Sequence, residues 1–370
     1  MAYQRGSGGV VGIGVPAVAN SGYSTVSSIT ASHLFYCDAF GVAGTGDLFD
    51  NRTVATGYEE GSAITGMQDT TEATISGPLC DLSFPILWAL ALGTTTNTVN
   101  DTSAYEHIAT PCGVNSELPY VSLYFKHTGI ADTSTVGSVR LDGAVLDTLT
   151  ISASNGGPWR YSARFITSGT ISSTTVDLSA KTKPSVLPFR MGNTSHQVST
   201  TTPSVISVAR PTAPTFIPSA GTGWTPVDWS QNTQSISYTV NNNCITFSSG
   251  TGAGRTNVVR QNRVITASTS LMFDSTPPSI RTLPLALGGG NVTNRGLITA
   301  CGSQSLAGAG SAYYGFDIQV PKAAITSVNM DPTLGPRMVT VNFTAIDSAQ
   351  SGISTIYALG MNANNVAYVP

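Results

Sequence analysis

Four histidines, a pair of adjacent glutamates and five cysteines are the residues of this chain with the most chemistry to offer. His33, His107, His127 and His196 form neither an H-E-x-x-H nor an H-x₃-H pair, so no two sit at the helical spacing of a zinc site. His107 and His127 fall on or beside predicted strands and can meet as metal ligands, but a histidine buried for packing is the commoner case. Glu59 and Glu60 are neighbours, and on a strand neighbours point to opposite faces. A glycosidase needs two carboxylates facing one bond. No G-x-S-x-G elbow or Walker loop is present. The glycine runs Gly288–Gly290 and Ala307–Gly310 precede no Lys-Ser/Thr and read as loops. Cys37, Cys80, Cys112, Cys244 and Cys301 are odd in number and make no C-x-x-C, which predicts buried free thiols rather than a disulfide framework. Trp88 is expected in the core. Trp159, Trp224 and Trp229 lie near turns, where they can instead form a sugar platform with Tyr313 and Tyr314. The chemistry therefore predicts a non-enzymatic protein with no cofactor and no metal.

The elements that would position these residues are strands. The 370 residues have room for two domains. Only 10% are charged, against roughly 25% in ordinary soluble domains. Polarity comes from Thr, Ser, Asn and 38 glycines, which suits strands joined by tight turns. Few surface charges favour association. The net charge of −3 lacks the basic excess of a specific nucleic-acid binder. The first 22 residues contain no unbroken apolar stretch of signal-peptide type, and no apolar run reaches the length of a membrane span.

Period-two alternation marks Tyr120–Lys126, Arg160–Ile166, Ser235–Val240, Phe316–Val320 and Val339–Phe343 as strands with one buried face. Turn clusters Ser154–Pro158 and Asp331–Pro336 follow the rules for Gly, Pro and Asn. Two segments read as short helices. Asp81–Gly93 offers Asp81 or Ser83 as cap, Pro85 in the first turn and Gly93 at the end. Asp274–Gly290 has the same layout but is interrupted by Pro284, so its helix is expected to be shorter or kinked.

Both helices end alike. Leu90-Ala91-Leu92-Gly93 recurs as Leu285-Ala286-Leu287-Gly288, 195 residues on. After each comes a strand, a Gly-Pro turn and a strand ending in Phe: Ala144–Phe165 and Ala323–Phe343. This predicts a tandem duplication of one helix-bearing β-domain. The expected boundaries are an extended arm over 1–30, a first domain over 31–180, a linker and loop region over 181–230 and a second domain over 231–370.

Charge differs between the halves. Gly41 to Asp81 holds Asp47, Asp50, Glu59, Glu60, Asp69, Glu72 and Asp81 with one base, Arg52. The corresponding stretch of the second half carries Arg255, Arg260 and Arg263. Complementary loops of this kind can set register between subunits.

The first half resembles the tail tube proteins of long-tailed bacteriophages, in their doubled-domain form. The likeness rests on Ala89–Thr96 (ALALGTTT), Tyr105-Glu106-His107, Leu118–Leu123 (LPYVSL) and Asp142–Ile151 (DGAVLDTLTI), and covers about residues 40–170. It implies all-β domains of barrel or sandwich type, each with one helix. It further implies rings of three chains with pseudo-sixfold symmetry, stacked into a hollow tube in the virion tail and assembled in the host cytoplasm. Tape measure and tail terminator proteins would be the other partners. Viral DNA would pass without specific binding.

Overall fold

The structure is a computed structural model that describes residues 9–14, 32–50, 64–113, 116–127, 138–167, 171–173, 178, 181–185, 188–199, 226–248, 255–272, 294–307, 312–331, 338–347, 353–365 and 368. Among them the chain is all-β with a single α-helix. The first half runs β1 (Gly9–Gly14), β2 (His33–Cys37), β3 (Ala39–Asp50), β4 (Ile64–Pro78), helix α1 (Ser83–Leu92), β5 (Gly93–Asp101), β6 (Ala104–Pro111), β7 (Val121–His127), β8 (Ser138–Ser154), β9 (Arg160–Thr167) and β10 (Ile171–Ser173). The second half runs β11 (Thr194–Ser199), β12 (Pro226–Asp228), β13 (Thr233–Asn241), β14 (Cys244–Ser248), β15 (Arg255–Arg260), β16 (Val264–Met272), β17 (Asn294–Leu306), β18 (Tyr313–Asp331), β19 (Met338–Ala345) and β20 (Tyr357–Asn362). Thus β1 lies inside the segment read from sequence as an arm, and β11 and β12 inside the segment read as a linker. The second expected helix, with Leu285, Leu287 and Gly288, falls outside the described residues.

The strand pairing repeats. In the first half β3 pairs with β4, β4 with β9 and β9 with β8. In the second, β13 pairs with β16, β16 with β19 and β19 with β18. The amino-terminal part of β8 is flanked by β7 and β10, as that of β18 is flanked by β17 and β20. The correspondence extends to irregularities. The β8–β9 ladder skips a residue between Leu146 and Thr148, and the β18–β19 ladder skips one between Ile325 and Ser327. On either side of the skip, Leu146 faces Phe165 and Ile325 faces Phe343. A β-bulge bends a strand and fixes its register, so two bulges in the same place are one local design used twice.

The two halves share a sheet through β8 and β13, which pair from Thr148–Asn241 to Ser154–Ser235. The result is an eight-stranded antiparallel sheet in the order β3-β4-β9-β8-β13-β16-β19-β18. A second antiparallel layer runs β5-β6-β20-β18-β17-β11-β12. The sheets do not close into a barrel, because at its two ends the eight-stranded sheet has strands paired on one side only among the described residues.

Helix α1 packs against β6, β8 and β20, and all ten of its residues are buried. A helix apolar on every side belongs in a core, and Trp88, Leu90 and Leu92 lie there with Phe84 against Phe316. Each such buried side chain stabilises by roughly 1.5–3 kcal/mol. The helix starts differently from expectation. Leu82 is the N-cap and no side chain caps it. The Asp81 carboxylate instead accepts the Ser185 N–H at 3.1 Å, and Ser83 Oγ accepts that of Cys80 at 2.8 Å. A buried helix start takes partners from other segments. The end is as expected: Gly93 is left-handed (φ 96°) and its N–H donates to the Ala89 carbonyl.

The alternation predicted for the strands holds in β9, β13 and β19. It fails in β7, where Ser122 and Tyr124 are buried with Val121 and Leu123, and in β18, where Asp317 and Gln319 are buried with Phe316 and Ile318. These strands are covered on both faces, so their polar residues bond locally. Ser122 Oγ donates to Asp142 at 2.7 Å, and Gln319 Nε2 donates to Asp317 at 2.6 Å.

Candidate assembly surface

The eight-stranded sheet has two unlike faces. One carries Ile75, Ala163, Leu149, Tyr238, Ala267 and Val341 into the core. The other presents Thr74, Ser162, Thr150, Ser237, Ser268 and Asn342, which follows from period two in strands written with Thr and Ser at alternate places. Hydroxyl and amide groups on this face bond across strands. Thr150 and Thr239 oxygens are 3.1 Å apart, Ser270 and Thr340 are 2.9 Å apart, and Asn342 Nδ2 donates to Ser327 Oγ at 2.7 Å. Such pairs stabilise a sheet by about 0.2–1 kcal/mol each.

Two arginines of the face are paired with acids. Arg164 bonds Glu72 and donates to Asp147 at 2.8 Å, and Arg160 bonds Asp38. Bonding to Glu72 raises the Arg164 pKa further. Asp147 is the residue skipped at the β8 bulge, which is why its carboxylate can also accept the Cys244 N–H at 2.7 Å. Sequence periodicity does not mark Asp147, because a bulge is a property of the ladder and not of one strand.

Of the residues expected to carry charge between subunits, Asp47 and Asp50 sit on β3 and Asp69 on β4, in a part of the hairpin where β4 no longer pairs with β9. This two-stranded ribbon, Thr45–Asp50 with Ile64–Thr70, is about 20 Å long at the usual rise per residue. The side chains of these three acids, and Glu59 and Glu60 altogether, lie outside the described residues. Arg255 begins β15, which lies against β4, so the acidic and basic strands meet within one chain. Arg260 donates to the Gly113 carbonyl at 2.8 Å. Arg263 turns inward. Its Nε donates to Asn242 Oδ1 at 2.8 Å and its Nη2 to the Leu92 carbonyl at 3.0 Å, closing the carboxyl end of α1. Burial lowers its pKa. Asn242 donates in turn to the carbonyls of Ala91 and Leu146, both at 3.0 Å.

The histidines and cysteines singled out for chemistry are buried where described. All five cysteines are free and buried. His196 lies between the hydroxyls of Thr299 and Thr269, at 2.7 and 3.2 Å, and burial pushes its pKa down to about 4. His107 is bonded to Asn362 at 2.9 Å and stacks near Tyr368, which also contacts His33. The sugar platform is corrected: Trp159, Trp229 and Tyr314 are buried, and Trp224 lies outside the described residues. Their rings fill the space between layers, Trp159 against Phe316 and Trp229 against Phe343.

The two ends of the sheet complete the surface. Among the described strands β3 pairs only with β4, and Ile325–Asp331 of β18 only with β19. On these ends Phe40, Val42 and Val328 are half-buried. Where β8 meets β13, the core residues are closed off: Leu149, Ile236 and Tyr238 are each 1% exposed and Ile151 is 0%. Comparison with known proteins gives no matching family model and no matching curated protein.

Proposed function

We propose that this chain is a structural subunit that assembles with copies of itself into stacked rings, forming a hollow tube of the kind built by the tail tube proteins of long-tailed bacteriophages. The observation that carries the reading is the repeated four-stranded unit, joined into one sheet that stops, among the described residues, at two ends paired on one side only. Exposed sheet edges are normally blunted by charge, bulges or cover. Here β3 and the end of β18 keep half-buried apolar side chains, as a surface completed by a neighbour would.

Three chains would supply six such units to a ring. The hydroxyl-rich face would line the lumen. Its arginines are neutralised by Glu72, Asp147 and Asp38, and free basic groups are what holds nucleic acid. DNA could then slide past without specific contacts. The working place would be the virion tail, with tape measure and tail terminator proteins as further partners and assembly in the host cytoplasm. Electron microscopy of the purified protein tests the proposal. Hollow tubes or stacked rings are expected, and a monomer that persists at high concentration refutes it.

A further inference from the structure

The chain contains its own template for the contact between copies. Resting on the tube reading, we infer that β3 of one copy adds antiparallel to the open part of β18 of the next, in the register that β13 and β8 use inside the chain.

The mapping comes from the repeated ladders. The bulges equate Thr148 with Ser327, Leu149 with Val328, Thr150 with Asn329 and Ile151 with Met330. The ladders to β9 and β19 equate Ala73 with Ala267, facing Phe165 and Phe343. Through β4 and β16, Val42 then corresponds to Tyr238, Ala43 to Thr239 and Gly44 to Val240. Inside the chain Tyr238 faces Ile151, Thr239 faces Thr150 and Val240 faces Leu149. Between copies, Val42 therefore faces Met330, Ala43 faces Asn329 and Gly44 faces Val328.

Two observations favour this occupant over an unrelated partner. The apolar positions fall on one side of the new joint: Val42, Met330 and Val328 are counterparts of Tyr238, Ile151 and Leu149, and Val42 and Val328 are half-buried where those three are closed off. Ala43 and Asn329 are exposed on the other side, as counterparts of the bonded pair Thr239 and Thr150. A joint that uses two different edges is heterologous, so it propagates until rotation closes a ring. Pairing of β3 with β3 would stop at a dimer.

The test is a disulfide across the joint. Directly opposed residues have Cβ atoms about 4.5–5.5 Å apart, while diagonal neighbours are about 7–8 Å apart, beyond easy bridging. Ala43→Cys combined with Asn329→Cys, oxidised by diamide after assembly, should give a reducible ladder of multimers on denaturing gels. Ala43→Cys with Ser327→Cys should give about a tenth as much. Rings or tubes visible by microscopy without the ladder overturn the joint and leave the tube reading intact. Failure to form rings in the parent protein overturns both. Ala43→Arg, an exposed position, supplies a second arm. It should keep the circular dichroism of the parent and remain unassembled, and normal tubes from it overturn the joint.

Discussion

Replacing Gly93 by alanine tests how the helix, its cap and the neighbouring strand turn are locked together. Gly93 has φ of 96°, a conformation that costs an L-residue about 1–2 kcal/mol. A Cβ there would stand 2.6 Å from Cys112 Sγ and 2.9 Å from Cys112 Cβ. Relieving such overpacking costs about 1–3 kcal/mol. Loss of glycine freedom in the unfolded chain returns about 0.4–1 kcal/mol. The net is about 3 kcal/mol, roughly a 100-fold loss in the folding constant. Urea denaturation of the unassembled protein, followed by tryptophan fluorescence, measures it. Repeating the substitution in a Cys112→Ala background removes Sγ but not the backbone strain, so the cost should fall to about 1–2 kcal/mol. A cost below about 0.5 kcal/mol would refute the strain argument. Equal costs in both backgrounds would refute the collision with the Cys112 sulfur, since alanine keeps the Cβ.

Arg263→Met removes donors to the Leu92 carbonyl and Asn242 and should cost about 2–3 kcal/mol in the same assay. Stability should also fall on acidification. Burial lowers His33, His107 and His196 to about 4, so between pH 6.5 and 4 the unfolded chain binds up to three protons more. Asp317 works the other way, since burial raises it to about 7 and the native state keeps its proton longer. The net is about two protons, or about 2.7 kcal/mol per pH unit, lost as pH falls through that window. Asp317→Asn should steepen the fall, and a flat profile from thermal melts would contradict the assignment. Changing Glu59 and Glu60 together to Lys should impair tube formation if the acidic segment sets register between subunits; normal tubes from that variant would end the idea.

Local chemistry made much of this fold readable without coordinates. Alternation of large apolar residues with Ser and Thr identifies β9, β13 and β19, because each lies in a sheet with one face toward the core. The run from Ser83 to Leu92 has helix-forming residues and a terminal glycine, and α1 forms there. Matching strand pairs ending in Phe165 and Phe343 correspond to ladders with the same pattern, because the same ladder positions need the same side chains. Five widely spaced cysteines read correctly as free thiols.

The tertiary structure decided the rest. Periodicity reports how a residue is surrounded, not which strand supplies the surroundings, so the β8–β13 joint and the paired bulges are absent from the linear pattern. Arg263 looks like one member of a basic loop in sequence, yet it closes the end of a helix 171 positions away. Asp317 and Gln319 read as a solvent face and are buried because their strand is covered on both faces. Each of these outcomes depends on which distant edge was left to pair or to cover, and only the assembled sheets determine that.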